Sequence, residues 1–342
     1  MLRQLSQPRR VLMTVDAVGG VWRYAMDLGS GLAAAGTEIV FVGLGPRPSL
    51  AQRDEADRIG KLLWLDLPLD WLATDEAELA PIPDALARVA EEHDVDLLHL
   101  NLPSQAAGLR LDRPVLVVAH SCVVTWFAAV RGTDVPAPWA WQRDLNARGL
   151  HAADAVLVPS RSHGRAVEAS YGSLRRLTVV ANATAHHAGT AHKQPVVAAA
   201  GRWWDEGKNG ATLDRAAGFT DWPVLMAGAT QGPNGAACDL RNARALGQLS
   251  GPQVRSLIGS AGIVASPSLY EPFGLVALEA ASAGAALVLA DIPTYRELWS
   301  GAALFVPPRD ADAWTATING LAADDAEREM LGARASARAR LF

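Results

Sequence analysis

Short runs of aliphatic and β-branched residues alternate with longer helix-like segments along the whole chain, and this alternation limits the fold more than any other feature. R-V-L-M-T-V (10–15), E-I-V-F-V-G-L (38–44), a weaker run at 62–66, residues 96–100, V-L-V-V-A (115–119), A-V-L-V (155–158) and L-T-V-V-A (177–181) read as strands. Residues 21–35 read as a helix stopped by Gly36, and 76–92 as another. Near-continuously apolar strands joined by helices predict parallel sheets covered on both faces. The rhythm breaks at A-T-A-H-H-A-G-T-A-H-K-Q-P (183–195), which is small, polar and without period. It restarts as V-V-A-A-A-G (196–201), V-L-M-A-G (224–228), G-I-V-A-S (262–266), A-L-V-L-A (286–290) and A-L-F-V (303–306). The expected fold class is therefore α/β, with two Rossmann-like doubly wound domains facing across a cleft. The expected bounds are 1–185 for the first domain, 186–195 for a linker and 196–342 for the second. In such sheets ligands sit beyond the carboxyl ends of the strands, and a cleft between domains is a natural site.

Several classes of function are set aside by composition. Lys and Arg number 31 against 36 Asp and Glu, a net charge of -5, which is no electrostatic footprint for nucleic acid. The two cysteines, Cys122 and Cys238, lie far apart. They make neither a disulfide framework nor a cysteine metal site, and neither has a convincing local base. No apolar run reaches the ~20 residues of a membrane helix. The V-L-M-T-V run meets Asp16 too soon for a signal-peptide core, so a cytoplasmic protein is expected. His186, His187 and His192 lack the spacing and carboxylates of a metal site and read as solvated linker, while His99 reads as core. D-V-D (94–96) and D-A-D (310–312) read as a strand start and a helix start, so no metal ligands are assigned.

Three segments carry groups suited to chemistry. In S-P-S-L-Y-E-P-F-G-L-V-A-L-E-A (266–280) a strand ends, a loop follows, and a helix begins near Leu275. The amides around Leu275 and Val276 then lack intrahelical partners and form a ready anion site, bordered by Glu271 before the helix and Glu279 one turn inside it. In A-G-R-W-W-D-E-G-K-N (200–209), again after a strand, Arg202 offers a planar fork of donors and Lys208 a point charge for phosphate oxygens. In T-V-D-A-V-G-G-V-W-R-Y (14–24), Gly19 and Gly20 permit close backbone approach between the first strand and its helix. This is not G-x-G-x-x-G, which weighs against a dinucleotide site.

Together these segments resemble the retaining GT-B-fold glycosyltransferases of family 4, also called glycosyltransferase group 1, over nearly the whole chain. The sharpest element is E-x7-E, here Glu271 to Glu279. G-R-W-W-D-E-G-K-N matches the family's G-R-x-x-x-x-K pattern, G-G-V the early glycine pair, and A-H-S the histidine after a strand, His120. N-A-T (182–184) stands where the family has an N-G-V/I-D-like loop, a departure at Asn182. The resemblance implies a nucleotide-diphosphate sugar as donor substrate, a saccharide or glycoconjugate acceptor, and no metal or other cofactor. It implies that Arg202 and Lys208 hold the donor diphosphate, that Glu279 binds the ribose and Glu271 the sugar hydroxyls. Amides of Phe273, Gly274, Leu275 and Val276 would bind phosphate or sugar, with Gly19 and Gly20 approaching the diphosphate from the first domain. His120 would sit beside the reacting sugar.

Residues 122–143 gather Trp126, Phe127, Trp139 and Trp141 near Arg131 and Arg143. Trp126 and Trp139 are candidates to stack on an acceptor ring; core packing and peripheral membrane contact are the other readings. The basic residues here do not make the cluster that firm attachment to anionic lipid needs, so membrane contact is not favoured. Base selection is expected near Gly228 and 246–256. Residues 324–340 read as a final helix, where related enzymes commonly add one that crosses back to the first domain. Two other functions fit the same architecture: a sugar-nucleotide epimerase, and a sugar-nucleotide-binding protein without turnover.

Overall fold

The computed structural model describes residues 8–184 and 193–342. The chain divides into two compact units, 1–180 and 181–342. His186, His187 and His192 lie outside the described residues, as does most of the expected linker.

The first unit holds β1 (Arg10–Val15), β2 (Glu38–Gly43), β3 (Lys61–Trp64), β4 (Leu97–Leu100), β5 (Val115–Val118), β6 (Ala155–Val158) and β7 (Leu177–Val179). They form one parallel sheet in the order β3-β2-β1-β4-β5-β6-β7. β1 shows why its sequence is almost wholly apolar. Leu12 packs into one core with Val40, Leu98 and Val117, while Val11, Met13 and Val15 pack into another with Trp22, Met26 and Phe41. Both faces of the strand are covered, so no alternation with polar residues survives. The chain runs outward from β1 to β3 and then returns to β4, making β1/β4 the switch point. Met13 is in register with His99 there, and Leu100 with Val117.

The second unit holds β8 (Gln194–Ala200), β9 (Val224–Ala227), β10 (Arg244–Gly247), β11 (Ala261–Ser266), β12 (Ala286–Ala290) and β13 (Leu304–Val306). Their order is β10-β9-β8-β11-β12-β13, all parallel, with the switch between β8 and β11. Alanines on β8, β11 and β12 share one buried core with the large side chains of Trp299, Trp314 and Tyr295. The final helix, Asp325–Ala339, packs within this unit, with the Arg338 guanidinium donating to the Leu298 carbonyl at 2.8 Å and Phe342 edge-on to Phe273 at 5.6 Å.

Three local expectations need adjustment. The segment 76–92 is two elements, a 3-10 turn Glu76–Leu79 and an α-helix Ile82–Glu92. Pro81 and Pro83 have no N–H to bond back along a continuous helix, so the α-helix starts afresh between them. β8 begins at Gln194, inside the expected linker, and Lys193 just before it is tied to the Gly259 and Ala283 carbonyls at 2.7 Å each. β10 carries no sequence signal because it is a short, largely exposed edge strand. The two acidic triplets have structural partners. Asp96 accepts from the Arg9 and Arg10 amides at 2.8 and 3.0 Å, and Asp310 caps the helix Ala311–Ala323 through the Ala313 amide at 2.9 Å.

Candidate functional site

In the first unit the carboxyl ends of β1, β4 and β5 meet in a network of neutral polar groups. Thr14, Asn101 and Gln105 are all buried. The Thr14 hydroxyl donates to Gln105 Oε1 at 2.7 Å and accepts from the Asn101 amide N–H at 2.8 Å. Asn101 Nδ2 donates to the Thr14 carbonyl at 2.5 Å, and Asn101 Oδ1 lies 2.9 Å from His120 Nε2. His120 follows β5 and is half-buried, with the Tyr24 ring edge-on at 4.4 Å between centroids. The Tyr24 hydroxyl reaches His99 Nε2 at 3.2 Å.

Burial holds these rings neutral. Desolvation, with His99 and His163 nearby, pushes His120 down to about 3. Desolvation lowers His99 to about 4, offset in part by a hydrogen bond to the Asn101 side chain. It also raises the Tyr24 phenol and, despite hydrogen bonds from Thr125 and Tyr171, the Cys122 thiol, which disfavours the thiolate. Gly19 precedes the helix Gly20–Ala34 with φ -148°, an extended conformation open to any residue, and no side chain caps that helix. Gly20 is exposed at its start. The pair therefore supplies bare amides and absence of bulk rather than an unusual turn.

In the second unit the loops after β8 and β11 are stitched together. The Leu269 amide donates to the Gly207 carbonyl at 2.8 Å, and Asn209 Nδ2 donates to the Pro267 carbonyl at 2.9 Å and the Pro308 carbonyl at 2.6 Å. Asn209 adopts a left-handed φ of 54°, which Asn tolerates better than most residues. This stitching brings Lys208 Nζ to 2.5 Å from Glu271 Oε2, with both side chains largely buried. Arg202 lies 3.5 Å from Asp205 and over the Trp204 ring at 5.4 Å, with Asp205 in turn holding the Gly207 amide at 2.9 Å.

The helix Leu275–Ser282 starts at Gly274, whose φ is +91°. A Cβ there would strike Tyr295 at 2.8 Å and press on Glu271 at 3.3 Å, so only glycine fits on both counts. No side chain caps this helix. Phe273 is core by its side chain, so only its backbone can serve a ligand. Leu275, Val276 and Glu279 are half-buried. Tyr295, buried beneath the loop, bonds Ser266 at 2.5 Å; desolvation and then the Glu271 charge raise its phenol. Gly228, where β9 ends, has φ +125°, and a Cβ would lie 1.8 Å from the Gly201 carbonyl, so this loop too is held tight against β8.

Each unit thus gathers its own share of the predicted residues at a carboxyl edge. The sequence pointed to His120, Lys208, Arg202, Glu271 and Gly274. It did not assign roles to Asn101, Thr14, Gln105, Tyr24, Asn209 or Tyr295. Asn101 lies two residues after His99 at a strand's end, a position that could have drawn attention. Trp126 and Trp139 flank Phe127, edge-on at 5.1 and 5.8 Å, with the Arg131 guanidinium over Trp126 at 5.4 Å. Phe127 is the core member, while Trp126 is half-buried and Trp139 is 39% exposed. Among the described residues no group of three or more His, Cys, Asp or Glu side chains could hold a metal ion. Nor is any helix among them long and apolar enough to cross a membrane.

Comparison with known proteins gives two family matches, Glycosyltransferase Family 4 over residues 18–186 and Glycosyl transferases group 1 over 236–338. The O-antigen chain mannosyltransferase B of Escherichia coli is 36% identical over 99 residues, 29% of this chain and 26% of that protein. The phosphatidyl-myo-inositol mannosyltransferase of Mycolicibacterium smegmatis is 38% identical over 98 residues, 28% of this chain and 25% of that protein. The chain thus spans about a quarter of the length of these curated relatives in the matched segments. The solved sucrose-phosphate synthase of Thermosynechococcus elongatus superposes with a TM-score of 0.79 at 18% identity, over 97% of this chain and 94% of that one. The chain belongs to the GT-B-fold glycosyltransferases of family 4, group 1.

Proposed function

We propose that the chain is a retaining, metal-independent glycosyltransferase that moves a sugar from a nucleotide-diphosphate donor to an acceptor hydroxyl in saccharide or glycoconjugate assembly. The observation that carries this reading is the Lys208–Glu271 contact at 2.5 Å beside the uncapped helix start at Gly274. A cation, a carboxylate and unpartnered helix amides then converge at one sheet edge, as a diphosphate joined to a polyhydroxyl ring requires. The mannosyltransferase names of two relatives support sugar transfer as the reaction.

In this reading Arg202 and Lys208 neutralise the departing diphosphate, and the amides of Phe273, Gly274, Leu275 and Val276 bind its oxygens. Glu271 accepts hydrogen bonds from the sugar and Glu279 from the ribose. Gly19 and Gly20 let the first unit's helix amides approach the diphosphate. The acceptor hydroxyl attacks the anomeric carbon from the leaving-group face as the bond to phosphate breaks, and a phosphate oxygen takes its proton. The transition state is oxocarbenium-like and positive, and His120, held neutral, stands beside it without opposing charge. The first unit serves the acceptor, with Trp126 and Trp139 as stacking candidates. Catalysis comes from position and electrostatics, and the cations supply the positive potential that a metal provides elsewhere.

A thermal-shift panel of UDP-, GDP- and ADP-sugars, run with and without excess chelator, tests the reading. A tight donor in large excess raises Tm clearly, in either condition. Product analysis with the donor found separates transfer from C2 inversion of the donor or binding alone. No shift with any member, or a shift only when Mg2+ or Mn2+ is present, contradicts it.

A further inference from the structure

The hydrogen bonds around Asn101 leave no freedom in how its amide is placed. The group 2.5 Å from the Thr14 carbonyl must be a donor, so it is Nδ2. Oδ1 therefore faces His120 Nε2 at 2.9 Å. An amide oxygen only accepts, so Nε2 carries the proton and Nδ1 carries the lone pair. Thr14 itself is pinned: its hydroxyl accepts from the Asn101 backbone N–H and must spend its proton on Gln105 Oε1. Gln105 Oε1 also takes the Leu102 amide at 3.3 Å. Thr14 and Asn101 are buried to 0% and 1% exposure, so water does not compete for these groups.

We propose that Asn101 is a positioning residue that fixes His120 as its Nε2–H tautomer and so delivers the Nδ1 lone pair to the reacting centre. This rests on the reading that His120 lies beside the transferred sugar. A lone pair there can accept a sugar hydroxyl and favours developing positive charge, whereas an N–H at that position or an imidazolium would oppose it. The other titratable groups facing the ring are His99, His163 and the Tyr24 phenol. Burial keeps His99 and His163 neutral, at about 4 each, and Tyr24 protonated.

The test uses the full chain with 15N-labelled histidines, the His120 signals being identified by their loss in His120→Ala. Long-range 1H–15N correlation reads the tautomer directly, and initial rates with the donor from the panel read the catalytic consequence. In the unaltered protein Nε2 should be the protonated nitrogen throughout about pH 5 to 8. Asn101→Leu should give mixed tautomers and lower kcat about ten-fold or more, with donor KM within about two-fold, because the ring is misaligned but the diphosphate site is untouched. Asn101→Asp keeps an oxygen that accepts from Nε2–H, although it loses the donor to the Thr14 carbonyl, so the Nε2–H tautomer should persist. The added carboxylate should raise the His120 pKa and move the acid limb of kcat to higher pH, because the reaction needs the neutral ring. An Nδ1–H tautomer in the unaltered protein, or an unchanged tautomer in Asn101→Leu, overturns the proposal. If Asn101→Leu fails to fold, Asn101→Asp with an unshifted acid limb overturns it instead. A tautomer that shifts in Asn101→Leu while kcat stays constant overturns the delivery of Nδ1 to the reacting centre and, with it, the placement of His120 by the sugar.

Discussion

The site residues of the first unit are held by neutral hydrogen bonds, and those of the second by opposed charges. Thr14, Asn101, Gln105 and His120 form a chain in which each donor has one acceptor and the buried members see little water. Lys208 and Glu271 instead neutralise each other at 2.5 Å while remaining partly open to solvent. A neutral network gives orientation, because changing one partner leaves a buried group unsatisfied. A charge pair gives strength toward an ionic ligand, and under the proposed function an arriving diphosphate would take over the cation and free the carboxylate for the sugar. Under the proposed function, binding of the leaving group would fall to the second unit and geometry at the reacting carbon to the first.

The largest break in this comparison should come from the second unit's cations. Arg202→Ala or Lys208→Ala should lower transfer by about 100-fold or more, the scale seen when a preorganised electrostatic contact is lost. Their side chains lie outside the cores, so Tm should stay within a few degrees of the parent. Rates within about three-fold of the parent for both would place the diphosphate elsewhere.

The second unit was also the more legible from sequence, for a physical reason. Charges, glycines and helix starts are conspicuous along a chain. Gly274 marked a point where the backbone could approach a ligand closely, and E-P-F-G-L-V-A-L-E spaced its carboxylates around a helix N-terminus. The alternation of apolar runs likewise foretold both sheets, because doubly covered strands cannot hide their composition. What escaped was held by distant pairing. Asn101 is ordinary in L-H-L-N-L until β1 and β4 come into register and place it on Thr14, 87 residues away. Tyr295 beneath Gly274 was silent for the same reason, whereas β10 was silent because a short, exposed edge strand carries no apolar run. The prolines that split 76–92 were visible but outweighed by the helical pattern around them.

The two glutamates sharpen the comparison at the next scale. Glu271→Gln should lower transfer by about ten-fold while leaving nucleoside diphosphate affinity unchanged or tighter, since Lys208 loses its competitor. Glu279→Ala should weaken the nucleoside diphosphate by about ten-fold, as expected for a lost hydrogen bond between ribose and a charged group. Equal losses of nucleotide affinity in both variants would contradict this division.

Acid should act mainly on the first unit. His99 and His163 are buried and neutral, at about 4 each, below the ordinary histidine value of 6.5. Between those values the unfolded chain binds more protons than the folded one. Stability should therefore rise with pH across about pH 4 to 6.5 and fall on acidification, by up to ~1.4 kcal/mol per pH unit for each ring. Denaturant unfolding at a series of pH values measures the slope. A flat profile over that window would show that the rings are not held neutral.

A smaller effect is expected at the aromatic cluster. Trp139→Ala removes an exposed ring and should raise acceptor KM several-fold, with Tm nearly unchanged, if the ring stacks on a sugar at ~1 kcal/mol. Trp126→Ala should cost more stability because that ring is half-buried against Phe127. Normal acceptor kinetics in both variants would assign the cluster to packing alone.

The division of labour between the units is tested most directly by calorimetric titration of the donor's nucleoside diphosphate, in excess chelator, into the parent protein, Lys208→Ala and Asn101→Leu. Affinity should fall about ten-fold or more in Lys208→Ala and remain within about two-fold of the parent in Asn101→Leu, although transfer falls in both. Equal affinity in the parent and Lys208→Ala, or a matching loss in Asn101→Leu, would contradict the account.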